Sequence, residues 1–459
     1  MTNNANQIVW SQALIDKYNI NGPRYTSYPT ALALHNKFPL STMEQTLANA
    51  PDELSLYIHL PFCIKLCYYC GCNKVITRHQ HKADIYLDYL AKEMAMYKAL
   101  LGNRKFESVH MGGGTPTFLS ETQLSRLMAL LHEHFSFTDN TEWSIEIDPR
   151  SCSDDKLRHL RKLGFDRVSY GVQDFDAKVQ IAINRVQDTD MIKHQIALSK
   201  ELGFRSINLD LIYGLPYQRP ETFAASIDQV IELNPDRVSL FSYAHLPSRF
   251  AGQRKIDESS LPTAPIKLEL LQLGITKFTA AGYQFIGMDH FAKTDDTLAQ
   301  AQQRGELQRN FQGYTTSGQD ALLGIGASSI SQIDGVLWQN VKELPSYYKA
   351  INSDTLPIVK GFELNADDKL RAALISQVIC HFDLDIQEFA NSWNIEDFWD
   401  YFADAKRKLE PFIEDGLVEL DANQLRVTTL GRLWVRSICA CFDAYLDDSA
   451  TAPRYSKVV

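Results

Sequence analysis

Between residues 54 and 241 the chain repeats one pattern: a short apolar run rich in β-branched and aromatic residues, then a segment with helical spacing. The runs fall at 56–60, 108–111, 143–147, 167–172, 207–212 and 237–241. Strands that alternate with helices lie parallel and are joined by right-handed crossovers, which leaves an open doubly wound sheet or a barrel. Polar residues late in otherwise apolar runs, namely Glu146, Gln173, Asn208 and Asp210, favour the barrel, whose chemistry gathers at the C-terminal mouth of its strands. Side-chain parity puts Asn208 and Asp210 on one face. Left unpaired inside, such groups would cost about 1–3 kcal/mol each, so a polar interior predicts a bound ligand. The expected fold is α/β: a partial (β/α)6 TIM-like barrel with an N-terminal arm and a small, mainly helical C-terminal domain.

The barrel domain, with an extension, is expected over 51–364. Residues 1–50 are polar, broken by Gly22, Pro23, Pro29 and Pro39, and read as an arm laid over the main body. From about 365 the alternation stops. Residues 367–382 have helical spacing, and 416–420 and 425–428 read as strands, so 365–459 is expected to form a helical domain with a wing. Winged shapes occur in DNA binders, but a net charge of -10 opposes counterion displacement from phosphates. A packing or lid role is expected instead, with no nucleic-acid partner. Residues 1–10 carry no basic and apolar leader pattern, and no apolar run approaches the roughly 18 residues of a membrane span. A cytoplasmic location is the expectation.

The eight cysteines are unevenly spread: Cys63, Cys67, Cys70 and Cys72 crowd one loop, while Cys152, Cys380, Cys439 and Cys441 are scattered. In the cytoplasm thiols serve metals or catalysis more often than disulfides. Three thiols directly after the first predicted strand, at Cys-x3-Cys-x2-Cys spacing, are soft ligands for zinc or an iron-sulfur cluster. A structural zinc site ordinarily adds a second Cys or His pair, and none stands at such spacing. Three ligands hold three irons of a 4Fe-4S cubane and leave the fourth iron open. A zinc knuckle remains the alternative at this point.

The second predicted strand ends in Gly112, Gly113, Gly114, Thr115 and Pro116. Glycine there either brings bare backbone against a ligand or makes a plain turn. Glu146, at the mouth of the third strand, can accept two ribose hydroxyls, as acids do in dinucleotide folds. Asp148 precedes Pro149 and reads as a turn former. His59, His245 and His290 are each either satisfied core histidines or tuning groups.

The thiol spacing resembles the signature of the radical S-adenosylmethionine superfamily. Together with residues 57–62, 112–116, 170–174, 210–216 and 243–247, and the arm segment 22–30, the chain resembles the oxygen-independent coproporphyrinogen III oxidase family over nearly its whole length. That resemblance implies a 4Fe-4S cluster on Cys63, Cys67 and Cys70, with Cys72 nearby but not a ligand. It implies that Tyr57, Gly113, Glu146 and Ile330 line a cluster-bound S-adenosylmethionine, with Tyr57, Glu146 and Ile330 carried as catalytic positions. It also implies a second S-adenosylmethionine position at Tyr69, Gly114, Thr115, Gln173, Arg185, Asp210 and Ala244. Tyr69 stands where relatives carry Phe.

The implied reaction converts two propionates of coproporphyrinogen III to vinyl groups, giving protoporphyrinogen IX, with 5'-deoxyadenosyl radicals from S-adenosylmethionine. An electron donor such as flavodoxin or ferredoxin is implied, and a monomeric enzyme is expected. Substrate carboxylates need cationic partners, for which Arg24, Arg254, Lys255 and Arg309 are candidates, each also readable as a solvated surface charge. Capping by the arm and C-terminal domain would keep a radical from solvent. The alternative is a haem-binding chaperone of the same superfamily. Chaperones of that kind lack the arm segment 23–30 and carry an aromatic where Cys72 follows Gly71. A zinc-dependent nucleic-acid module conflicts with the acidic balance.

Overall fold

The computed structural model describes residues 11–19, 22–317 and 320–446. The reading of an unprocessed N-terminus rests on residues 1–10, which lie outside the described residues. Two compact units make up the chain, one spanning Leu34–Ala281 and Ser317–Glu363, the other spanning Met1–Ala33, Gly282–Thr316 and Leu364–Val459.

In the first unit six parallel strands stand side by side in chain order: β1 (Glu53–Leu60), β2 (Lys105–Gly113), β3 (Ser136–Ile147), β4 (Arg167–Gln173), β5 (Ser206–Tyr213) and β6 (Arg237–Ser242). The crossovers carry helices α1 (His81–Leu101), α2 (Glu121–His134), α3 (Asp154–Lys162), α4 (Ala177–Ala182), α5 (Thr189–Glu201) and α6 (Pro220–Leu233). This is the expected partial (β/α)6 barrel. On the other side of β1 lies β7 (Ala321–Ile325), also parallel, followed by the antiparallel strands β8 (Ile330–Ile333), β9 (Val336–Asn340) and β10 (Ile358–Glu363).

The period of two explains why each strand has one dry face. Leu56, Ile58, Val109, Met111, Ile145, Val168, Leu209 and Leu240 are almost wholly buried. The alternate positions Ser55, Ser108, His110, Ser144, Glu146, Ser169, Asn208, Asp210 and Ser239 form a polar face that bonds across strands. Ser108 donates to Ser55 at 2.7 Å, and Asn208 Nδ2 donates to Ser169 Oγ at 2.9 Å. Helix starts are set by short side chains: Ser120 and Gln123 close a reciprocal capping box on α2, and Asp176 and Asp188 cap α4 and α5.

One strand is longer than its apolar pattern. The run expected at 143–147 belongs to a strand that begins at Ser136. Residues 136–142 are polar and partly exposed, so they carry no hydrophobic period; backbone pairing with Lys105 and Phe106 extends the ladder.

The second unit contains the long helix Ala366–His381, a three-stranded sheet of Asp383–Asp385, Gln424–Val427 and Val418–Leu420, and the helix Ala403–Glu414. The strands at 418–420 and 424–427 are the expected wing. Of the arm expected over 1–50, the described residues up to Ala33 pack within this unit, whereas those from Leu34, with the helix Leu40–Ala48, belong to the first unit. Tyr18 stacks on Phe412 with ring centroids 4.4 Å apart, Tyr25 donates to Asp443 at 3.0 Å, and Arg436 Nε donates to the Pro23 carbonyl at 2.9 Å. Among the described residues no helix is long and apolar enough to cross a membrane.

Candidate active site

The chain leaves β1 at Leu60 and returns at Val75–Ile76, which pairs in parallel with Phe62–Cys63. The amides of Val75 and Thr77 donate to the carbonyls of Pro61 and Cys63 at 2.7 and 2.9 Å, closing a loop that presents all four clustered cysteines. Cys63 and Cys67 are buried, Cys70 is half-buried and Cys72 is exposed; all are free thiols. Residues far away in sequence supply donors to the sulfurs. Thr115 Oγ1 donates to Cys63 Sγ at 3.3 Å, and the guanidiniums of Arg185 and Arg150 reach Cys67 Sγ at 3.4 and 3.5 Å. Lys74 Nζ donates to the Cys70 and Cys72 carbonyls at 2.9 and 3.2 Å.

These surroundings split the thiols. A hydrogen bond from Cys72 is the main effect drawing the Cys70 thiol down to about 6, with Lys74 adding to it. Burial pushes Cys63 up to about 11 against the Thr115 bond. Among the described residues no three His, Cys, Asp or Glu side chains converge on one point that could hold a single metal ion. Three sulfurs spread along a loop, each beside a hydrogen-bond donor or a cation, suit a multi-iron cluster, whose potential responds to just such bonds.

Beside the loop, the glycine run is dictated by space. Gly113 has φ of +109°, and a Cβ there would stand 2.5 Å from the His59 ring; a Cβ on Gly112 would stand 2.9 Å from Glu146 Oε1. Gly113 N donates to Glu146 Oε2 at 3.1 Å, and Gly114 N donates to the Leu60 carbonyl at 2.9 Å. Glu146 remains 44% exposed at its side chain, which leaves acceptor capacity for a ligand, with His110 Nε2 3.6 Å from Oε1.

His59 is now resolved. Its Nε2 meets the Asn73 carbonyl at 3.0 Å and its Nδ1 meets Tyr57 OH at 3.1 Å. A carbonyl only accepts, so Nε2 carries the proton and Nδ1 accepts from the phenol. Burial lowers the imidazole pKa and keeps this neutral tautomer, which ties Tyr57 to the cysteine loop. Tyr57 also stacks on His110, with centroids 6.0 Å apart.

Ile330 opens β8 after the tight loop 326–329. That loop is held by Glu93, a fully buried carboxylate on α1 that accepts from Gly326 N at 2.9 Å, Asn340 Nδ2 at 2.7 Å and Tyr347 OH at 2.5 Å. One helix face up, Tyr86 OH donates to the His59 carbonyl at 2.8 Å and accepts from Ala327 N at 2.9 Å.

The second group expected from the resemblance is also brought to this strand mouth. Gln173 sits buried at a bulge with φ of +71°. Arg185 donates to the Gly171 carbonyl at 2.5 Å and to Asp148 at 3.2 Å. Asp148 does make the expected turn, accepting from Arg150 N at 3.1 Å, but it is also an ion-pair partner. Burial would raise its pKa; the Arg185 and Arg150 guanidiniums outweigh that and hold it below the usual carboxylate range. Asp210 accepts from Asn208 at 2.8 Å and Ser169 at 3.3 Å, yet burial, then the Glu146 carboxylate, push it up to about 6.

Tyr69 packs with Tyr68 on Val179, Ile183, Leu215 and Tyr243. Its carbonyl and that of Ala244 both accept from Gln253 Nε2, at 2.9 and 3.1 Å. Gln253 thus clamps the cysteine loop to the end of β6. Gln253, Arg150 and Glu93 were not singled out from sequence; as isolated polar residues they carry no pattern.

The other candidates are dispersed. Arg24 pairs with Asp289, and Arg309 is buried beside the Tyr314 ring, both within the second unit. His290 is half-buried there too, its pKa pushed down to about 3 by desolvation and then by Arg309 and Arg24. In the first unit Arg254 is exposed and donates to the Pro247 carbonyl at 3.0 Å, Lys255 lies 5.2 Å over the Tyr68 ring, and His245 bonds Tyr243 and Glu258.

Comparison with known proteins accords with this geometry. Residues 57–230 match the Radical SAM superfamily, and residues 364–434 match the HemN C-terminal domain. The chain is 50% identical over 454 residues to the oxygen-independent coproporphyrinogen III oxidase of Escherichia coli K12, covering 99% of each chain. It is 47% identical to the enzyme of the same name from Pseudomonas aeruginosa, over 98% of this chain and 99% of the relative. Among solved structures, the E. coli coproporphyrinogen III oxidase HemN, described as a radical SAM enzyme, superposes with a TM-score of 0.92 at 50% identity, over 96% of this chain and all of that one.

Proposed function

The chain belongs to the oxygen-independent coproporphyrinogen III oxidase family of the radical SAM superfamily, and from that membership we propose how its own residues serve the oxidation of coproporphyrinogen III. It is an enzyme that uses a 4Fe-4S cluster and S-adenosylmethionine, and two propionates become vinyl groups in protoporphyrinogen IX. When bound, the cluster and S-adenosylmethionine would supply a 5'-deoxyadenosyl radical to remove hydrogen from an unactivated propionate carbon, after which each propionate would lose carbon dioxide and pass one electron to an external one-electron acceptor.

Cys63, Cys67 and Cys70 hold the cluster, and Cys72 stays outside the ligand set. Thr115, Arg150 and Arg185 donate to the ligating sulfurs, which stabilises negative charge there. Glu146 orients the nucleoside through its ribose hydroxyls, while its bond from Gly113 N fixes the carboxylate. Tyr57, locked by His59, and Ile330, placed by the 326–329 loop, wall the same site. Tyr69, Gly114, Thr115, Gln173, Arg185, Asp210 and Ala244 form a second S-adenosylmethionine position, where Asp210 near pKa 6 can hold or release a proton close to neutrality. The working organisation is an arm over 1–50, a barrel with extension over 51–364 and a helical domain over 365–459. The enzyme acts as a cytoplasmic monomer and takes electrons from a flavodoxin- or ferredoxin-like donor.

The observation that carries this reading is the meeting of three donor-surrounded thiols with Glu146 and Gly113 at one strand mouth. Anaerobic incubation of the reconstituted protein with coproporphyrinogen III, S-adenosylmethionine and dithionite tests it. We expect protoporphyrinogen with about two 5'-deoxyadenosines per product. A cluster-loaded protein that releases no 5'-deoxyadenosine but binds haem tightly would establish the chaperone reading instead.

A further inference from the structure

The cysteine loop lies in an acid-free surface on an acidic protein. The whole chain has 46 Lys and Arg against 56 Asp and Glu, yet residues 61–83, 177–187 and 244–256 contain no Asp or Glu at all. These three segments touch one another. Tyr68 N donates to the Ile183 carbonyl at 3.0 Å, Asn184 Nδ2 to the Leu66 carbonyl at 2.7 Å, and Gln253 to the Tyr69 carbonyl at 2.9 Å. Their exposed side chains include Lys65, Arg78, Lys178, Arg249, Arg254 and Lys255. Acidic groups stand at the ends of these segments or face inward: Asp176 and the exposed Asp188 and Asp257 cap their own helices, Glu258 bonds His245, and Asp148 is enclosed by Arg150 and Arg185.

The same segments expose large apolar side chains. Among the described residues, Ile181 and Val186 are the most exposed large apolar side chains, at 67% and 62%, and Ile64 and Ile76 flank Cys63 at 42% and 44%. Scattered single apolar residues need no explanation, but four on segments that contact the thiol loop mark an interaction surface. Exposed apolar side chains among charges of one sign suit a transient, electrostatically steered interface.

We propose that this surface, which exposes Ile64, Ile181 and Val186 together with Lys65, Arg78 and Lys178, docks an acidic one-electron carrier protein that reduces the cluster. The inference rests on the radical SAM reading, which requires one electron per cleavage and whose cysteines hold the acceptor. The step is simple in balance: the carrier loses one electron, the cluster gains it, and no bond or proton moves. Charge complementarity selects the occupant, because a carrier with acidic surface is attracted to this patch and repelled by the rest of a chain of net charge -10. A tetracarboxylate substrate shares the attraction to cations but has no use for exposed Ile181 and Val186.

The test uses the full-length, cluster-loaded protein and photoreduced flavodoxin as an acidic carrier. Stopped-flow bleaching of the cluster absorbance gives the second-order rate of electron delivery, and calorimetry gives the affinity of the pair. For Lys65→Glu/Lys178→Glu we expect delivery and affinity to fall about tenfold or more at low salt, a gap that closes as salt screens the charges. Ile181→Glu should lower both at every salt concentration. Iron content and dithionite-driven 5'-deoxyadenosine formation should match the parent. Delivery unchanged in all variants overturns the proposal while leaving the radical SAM reading intact. Equal loss with dithionite also overturns it, assigning the lysines to substrate or cluster integrity. A parent protein that forms no 5'-deoxyadenosine with dithionite defeats the underlying reading, and the proposal with it.

Discussion

Replacing Glu93 by Gln should remove a specific slope from the pH dependence of stability. Glu93 is fully buried, and burial pushes its pKa up to about 7 even though Tyr347, Gly326 and Asn340 all donate to it. In the unfolded chain it titrates near the ordinary value of 4.5. The folded state therefore binds a proton more tightly, and its stabilising effect is complete below pH 4.5 and lost as pH rises through 7. Between pH 5.5 and 8 about 1.5 pK units of that difference are traversed, worth about 2 kcal/mol at 1.36 kcal/mol per unit. Glu93→Gln has no proton to lose there. It also suffers a pH-independent penalty of about 1–3 kcal/mol, because either amide orientation sets an NH2 against the donor from Gly326 or Asn340. Urea unfolding under anaerobic conditions at pH 5.5 and pH 8 measures both effects. The gap between parent and variant should narrow by about 2 kcal/mol at the higher pH. A gap constant across this range would refute the buried, raised carboxylate and with it the account of how loop 326–329 is held.

Further outcomes follow from the site. Cys63→Ser should abolish the visible iron-sulfur chromophore after anaerobic reconstitution, whereas Cys72→Ser should retain it; equal loss in both would remove Cys72 from its place outside the ligand set. Glu146→Ala should weaken S-adenosylmethionine binding by calorimetry about tenfold or more without changing the thermal midpoint of the apoprotein, since the side chain is 44% exposed and its loss leaves one Gly113 amide to water. Gly113→Ala forces a Cβ to 2.5 Å from His59 at φ of +109°, and should lower stability by about 2 kcal/mol or more together with cluster content. An alanine variant of parental stability would show that the His59 and Tyr57 pair is loosely held.

The strand and helix alternation was readable because buried parallel strands must be apolar on the face that meets the helices, and that period survives in the sequence. The Cys-x3-Cys-x2-Cys loop was readable because its thiols are close together along the chain. Glu146, Asp210 and Gln173 stood out for the opposite reason, as polar residues in strands that otherwise favour Val, Ile and Leu. By contrast, the extension of β3 back to Ser136 had no apolar period, since Phe137 is its one apolar side chain and backbone pairing continues the ladder.

Sequence alone thus determined the barrel, the polar mouth of its strands and the cysteine loop, all encoded by local spacing of chemically distinctive residues. Folding decided which solitary polar residues serve that loop: Gln253 as a clamp, Arg150 and Arg185 as partners to Cys67, Glu93 as the holder of the turn before Ile330, and His59 as the lock on Tyr57. Apart from the bond between His59 and Tyr57, two residues apart on β1, these contacts join segments distant along the chain. Their partners are set by register and crossover geometry rather than by neighbours in the chain, so no linear pattern marks them.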